Sequence, residues 1–148
     1  MPQVLSGLAF AATGESGYAI TLDTGIESGG AASGPEPLEL LLLALGACTG
    51  MDVISILRKK RQVITGYSIN VFANQASEHP KTYTEIMVEH VVQGLNVNPE
   101  AVARSIELSV SKYCPVNALL SRATRVEHVF RILDSMPGPQ EPGVVGSA

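Results

Sequence analysis

Cys48 and Cys114 are the residues in this chain best suited to do chemistry, and the 148-residue sequence holds no other thiol. Cys48 stands inside Gly46-Ala47-Cys48-Thr49-Gly50, within a long apolar run. Glycine in a helix interior costs about 0.5–1 kcal/mol relative to alanine, so two of them around one thiol ask for a reason. At i, i+4 they strip one helix face of side chains, and another backbone or a substrate can approach closely there. The same residues also suit a small-residue packing face around an inert cysteine, and the helix by itself favours that reading. Cys114 shifts the balance. It directly precedes Pro115, which makes it the natural N-cap of a short helix, where the dipole and free amides favour a thiolate. The two cysteines lie far apart, with no Cys-x-x-Cys motif and no zinc-finger spacing. A metal site would need His79, His90 or His128, and none stands at short ligand spacing, so neither metal nor cofactor is expected. A cysteine hydrolase would need a histidine beside Cys48, which spacing alone cannot place.

The dominant element that must carry Cys48 runs from Pro37 to about Lys60. Pro37 suits a first helical position, the residues are apolar on every face, and the helix is expected to be buried all round. Only twelve uncharged residues separate Glu39 from Asp52, fewer than the ~20 a bilayer needs, so the expectation is a core helix and no membrane. Arg58-Lys59-Lys60-Arg61 closes it, complementing the negative end of the dipole. Ahead of it, Val4–Ala11 and Tyr18–Leu22 read as strands joined by a turn over 13–17, followed by a Gly/Ser-rich loop over 28–34 expected to be a flexible connection. Behind it, Tyr67–Ala73 and Tyr83–Val92 read as an antiparallel hairpin. A helix from about Pro99 to Tyr113 follows, with Asn98 as N-cap, then a short helix from Pro115 through Leu120 and a last strand over Val126–Leu133. The order ββαββααβ is α+β, with antiparallel sheet around the long helix.

Composition agrees with a folded chain that hides part of its surface. Charged residues make up 16%, against roughly 25% in ordinary soluble domains, which suggests burial against another copy. Residues 1–57 carry six acids and no Lys or Arg, so a secretory signal lacks its positive region and a cytoplasmic address is expected. A net charge of −4 disfavours nucleic acid as a partner. Residues 1–136 read as one domain, and 137–148, rich in Pro and Gly, as a flexible tail.

The runs Gly34-Pro35-Glu36-Pro37-Leu38-Glu39-Leu40-Leu41, Leu45-Gly46-Ala47-Cys48-Thr49-Gly50-Met51-Asp52-Val53 and Tyr113-Cys114-Pro115-Val116 resemble the OsmC/Ohr family over roughly residues 4–133. The resemblance implies an intertwined homodimer with two six-stranded sheets, each built from both chains, around crossed central helices. It also implies reduction of organic hydroperoxides, with Cys48 matching the peroxidatic cysteine and Cys114 the resolving one. An external thiol, in some relatives a lipoylated protein, reduces the resulting disulfide. In the peroxidase branch an arginine from the N-terminal half, paired with a glutamate, holds the thiolate. Here no arginine precedes Arg58, Leu38 follows the helix-start proline, and Glu39 matches a second glutamate found in some members. The chain is thus nearer the poorly characterised branch than the organic hydroperoxide resistance branch. Glu39 joins Cys48 and Cys114 as a candidate site residue, reaching a thiol only through a partner chain or a kink. Arg104, Arg122 and Arg125 are candidates to replace the absent cation. The alternative function is a redox-active dimer that binds a small apolar ligand without turning over peroxide.

Overall fold

The computed structural model describes residues 1–135, so the expected tail over 137–148 lies outside the described residues. The chain divides into two compact units, residues 1–45 and residues from 46 onward.

The first unit is a three-stranded antiparallel meander: β1 (Gln3–Ser6), β2 (Ala9–Thr13) and β3 (Ala19–Leu22). The segment expected as one strand over 4–11 is two, because Gly7 turns the chain with φ of 55°. The expected turn between β2 and β3 forms, with the Gly17 amide donating to the Gly14 carbonyl. The loop over 28–34 is not a flexible connection. Asp23, itself buried, accepts from the backbone amides of Thr24, Ala31 and Ser33 and from the Ser33 hydroxyl. Those bonds, the Ser33 hydroxyl's first, hold the Asp23 carboxyl down at about 2 against the opposing effect of burial. Gly30 and Gly34 press against the carbonyls of Thr24 and Thr21, where a Cβ has no room. The backbone amides of this loop thus already hold an internal anion.

Helix α1 (Glu39–Lys59) begins in the first unit and continues into the second. Leu40 donates to the Glu36 carbonyl, so Pro37 does occupy the first turn, ahead of the regular helix. The expectation of burial on every face is corrected. Leu45, Gly46, Thr49, Gly50, Val53 and Leu57 form one buried stripe, while Leu41, Leu43 and Met51 are exposed. By length and composition alone α1 is apolar enough to cross a membrane. Its buried stripe is explained within the fold: Val53 and Leu57 pack with Val92, Val97, Ala101, Val102 and Ile106.

In the second unit, β4 (Val63–Gln75) and β5 (Tyr83–Leu95) form the expected antiparallel hairpin, longer at both ends than the sequence suggested. β6 (Arg125–Asp134) joins β5 in parallel, so this sheet is mixed rather than wholly antiparallel. The parallel join is possible because α2 (Pro99–Leu108) and α3 (Pro115–Leu120) carry the chain back across. Asn98 caps α2 as expected, its Oδ1 accepting from the Glu100 amide at 2.8 Å. The stretch expected to continue α2 is instead a π-helical segment over Ser109–Tyr113, closed by the Cys114 amide donating to the Ser109 carbonyl.

The Gly46/Gly50 notch receives a strand of the same chain. A Cβ at Gly46 would stand 3.1 Å from Val71 Cγ2, and one at Gly50 would stand 2.7 Å from Ile69 Cδ1. The close neighbour those glycines admit is therefore β4, which fixes the height of Cys48 above the sheet.

Candidate functional site

Cys48 sits mid-helix on α1, half-buried, and Cys114 caps α3, almost wholly buried. The structure brings them together: the Cys114 thiol donates to Cys48 Sγ across 2.7 Å, and both are free thiols. The Asn117 amide donates to Cys114 Sγ at 3.3 Å, the N-cap bond expected from the Cys-Pro sequence.

The electrostatics at Cys114 run opposite to the sequence expectation. Burial, first, and the hydrogen bond to Cys48, second, push this thiol up to about 11, outweighing the Asn117 and Val116 amides. Capping a helix of six residues is too weak an attraction to offset removal from water. Near neutral pH Cys114 therefore keeps its proton and points it at Cys48.

Asp52 is the site residue that sequence reasoning missed as chemistry. One helical turn beyond Cys48, its carboxylate lies within 4.8 Å of both sulfurs. The Ser109 hydroxyl donates to Asp52 Oδ2 at 2.9 Å. The i, i+4 spacing from Cys48 was a usable signal. The π-helical segment, which delivers Ser109, was not visible in the periodicity. Glu39 opens α1 with its side chain exposed, in the first unit. Of the arginines considered as substitutes, Arg104 pairs with Glu107 at 2.7 Å, and Arg125 pairs with Glu85 and Glu127, all at the surface.

A second polar feature backs α3. Tyr67 and His90 are diagonal neighbours across β4 and β5, and His90 and His128 across β5 and β6. Tyr67 Oη meets His90 Nδ1 at 2.6 Å, His90 Nε2 meets His128 Nδ1 at 3.1 Å, and His128 Nε2 meets Asn117 Oδ1 at 3.0 Å. Asn117 Nδ2 donates to the Val110 carbonyl, which fixes Oδ1 toward His128. With both rings neutral, every proton is then assigned: Tyr67 donates to His90, His90 to His128, and His128 to Asn117. Burial lowers both histidines to about 4, with the charge of His128 adding to the effect at His90. Burial also drives the Tyr67 hydroxyl well above its ordinary value. The chain ends on the residue whose amide faces Cys114, so it braces the first turn of α3.

A groove of about 330 Å³ reaches Asp52 and Tyr113, the neighbours of the two thiols, and is lined also by Ser55, Ile56, Lys59 and Leu108.

A long cysteine-bearing helix packed by glycines on a strand, with a second thiol at a Cys-Pro helix start beside it, defines an α+β fold that brings two free thiols together. The chain belongs to the OsmC-like protein family, whose pattern matches residues 29–129. It is 34% identical over 129 residues to Protein YhfA of Escherichia coli K12, an alignment covering 87% of this chain and 93% of that protein. A hypothetical protein from Aquifex aeolicus VF5 has a solved structure similar at a TM-score of 0.80, with 30% identity over 92% of this chain and 96% of that one. The organic hydroperoxide resistance protein OhrB of Bacillus subtilis shares the fold at a TM-score of 0.60 and 16% identity, over 88% and 96% of the two chains.

Proposed function

We propose that this protein is a cytoplasmic, homodimeric thiol peroxidase that reduces organic hydroperoxides, with Cys48 attacking and Cys114 resolving. The carrying observation is the 2.7 Å approach of the two sulfurs with the proton on Cys114. A donor aimed at Cys48 supports the negative charge that sulfur carries as nucleophile, a task given in related peroxidases to an arginine. The Cys48 thiolate attacks the distal peroxide oxygen, the O–O bond breaks, and the alkoxide takes a proton from solvent to leave as alcohol. Cys48 is then a sulfenic acid. Cys114 attacks its sulfur, the S–S bond forms, and the departing hydroxide leaves as water with the Cys114 proton. An external dithiol returns both residues to thiols by exchange. The groove beside Asp52 and Tyr113, walled by Ser55, Ile56, Lys59 and Leu108, gives a substrate room next to the residues that flank the two thiols.

The test is a thiol count on reduced protein before and after one equivalent of cumene hydroperoxide. Two thiols per chain should fall to none and return with dithiothreitol, and Cys48→Ser should consume no peroxide. Thiols that survive minutes of exposure in the wild type would refute the peroxidase and favour the ligand-binding dimer.

A further inference from the structure

Cys48 Sγ, Cys114 Sγ and a carboxylate oxygen of Asp52 lie within 4.8 Å of one another. Each is an anionic ligand once deprotonated, and among the described residues Asp52 is in no ion pair. Its Oδ2 is turned by the Ser109 hydroxyl, and Cys114 Sγ accepts from the Asn117 amide. Outer partners of this kind orient ligands around a metal ion.

From this convergence we infer that the reduced protein holds one zinc ion on Cys48, Asp52 and Cys114, with a fourth position open to water. The inference rests on the same two thiols as the proposed peroxidase and adds a regulator to it. Two thiolates and one carboxylate suit a borderline-soft dication that favours four ligands, and would suit magnesium or calcium poorly. Zn–S bonds of about 2.3 Å in a tetrahedron put sulfurs roughly 3.7 Å apart, so the pair opens by about 1 Å. Cys48 and Asp52 share one rigid helix face at i, i+4, and Cys114 comes from the first turn of a separate helix, so the ligands close on the ion from two sides. Binding releases the thiol protons to solvent, and the disulfide form, lacking thiolates, cannot hold the ion. Zinc and peroxide thus compete for one state of the site, and the ion keeps Cys48 unreactive until it is withdrawn.

The experiment is an anaerobic titration of the reduced full chain with Co²⁺, followed by displacement with Zn²⁺. One Co²⁺ per chain should bind with sulfur-to-cobalt charge-transfer absorption in the near ultraviolet. Asp52→Asn keeps the shape and an acceptor for Ser109, and should weaken Zn²⁺ binding by at least about tenfold, the smaller loss seen even for outer partners. Circular dichroism and a count of two free thiols check that the variant is folded. Zinc-loaded wild type should keep its thiols in cumene hydroperoxide until a chelator is added. Absence of the charge-transfer band, or equal affinity in Asp52→Asn, overturns the site. The metal-free sample separates the two readings: thiols that survive peroxide there refute the peroxidase and leave the cobalt result standing.

Discussion

Burial, first, and the hydrogen bond to Cys48, second, raise the Cys114 thiol, so near neutral pH it keeps its proton. If Cys114 resolves, Cys114→Ser leaves the Cys48 sulfenic acid without a partner. Without added thiol, the variant should take one equivalent of peroxide to the sulfenic acid and a second to gain the mass of a sulfinic acid at Cys48, read by intact-protein mass spectrometry; a wild type that gains the same mass under the same treatment would remove Cys114 from the mechanism. The bracing histidines supply a pH-dependence of their own. His90 and His128 fall from 6.5 in the unfolded chain to about 4 in the fold. Between those values the unfolded chain binds more protons, so stability rises with pH, is complete above the unfolded value, and is lost as pH drops toward the folded one. The slope reaches roughly 1.4 kcal/mol per pH unit for each ring. Asp23, at about 2 in the fold against 3.8, is lost only at lower pH, so the two windows separate. Urea midpoints measured across the histidine window should fall steadily with acid, and a flat profile would show that the rings are not buried neutral.

Elements whose signals are local were legible in the sequence, and those set by strand pairing or by an altered helix were not. Asn98-Pro99 and Cys114-Pro115 announce their helices because cap and first-turn chemistry lie within a few residues. The apolar run fixed α1 as a helix, yet its exposure was misread, since pattern shows which residues are apolar and not whether one chain can cover them. Tyr67, His90 and His128 meet only because β6 joins β5 in parallel at one register, which no alternation within a strand reveals. Ser109 reaches Asp52 from a π-helical segment whose extra residue per turn breaks the expected spacing. The glycines of α1 were legible as a notch, and the occupant was supplied by the fold. Gly50→Ala asks only the end of Ile69 to move and gains helix propensity, so its effect should be within about 1 kcal/mol. Gly50→Leu overpacks the same contact and should destabilise by about 1–3 kcal/mol in urea. Equal stability of the two variants would mean that β4 does not seat on this face.

At the scale of the whole molecule, the apolar surface is larger than a lone chain of this charge should show. In the first unit β1 is exposed along its length, and Val4, Leu5 and Tyr18 face solvent, so this short sheet has little core of its own. In the second unit Met51 on α1 is 70% exposed and Leu119 on α3 is 66% exposed. Low charge, a thinly covered sheet and an apolar helix face together argue for a second copy as the missing cover, the assembly proposed above. Light scattering should then return twice the 15.6 kDa chain mass at micromolar concentration. Met51→Glu tests the helix face directly. In a single chain this side chain touches little, so the charge should leave the fold and its circular dichroism unchanged. Within a dimer it would bury an unpaired carboxylate and shift the protein toward monomer. A variant that stays dimeric removes Met51 from the contact, and a wild type that is monomeric throughout overturns the dimer itself.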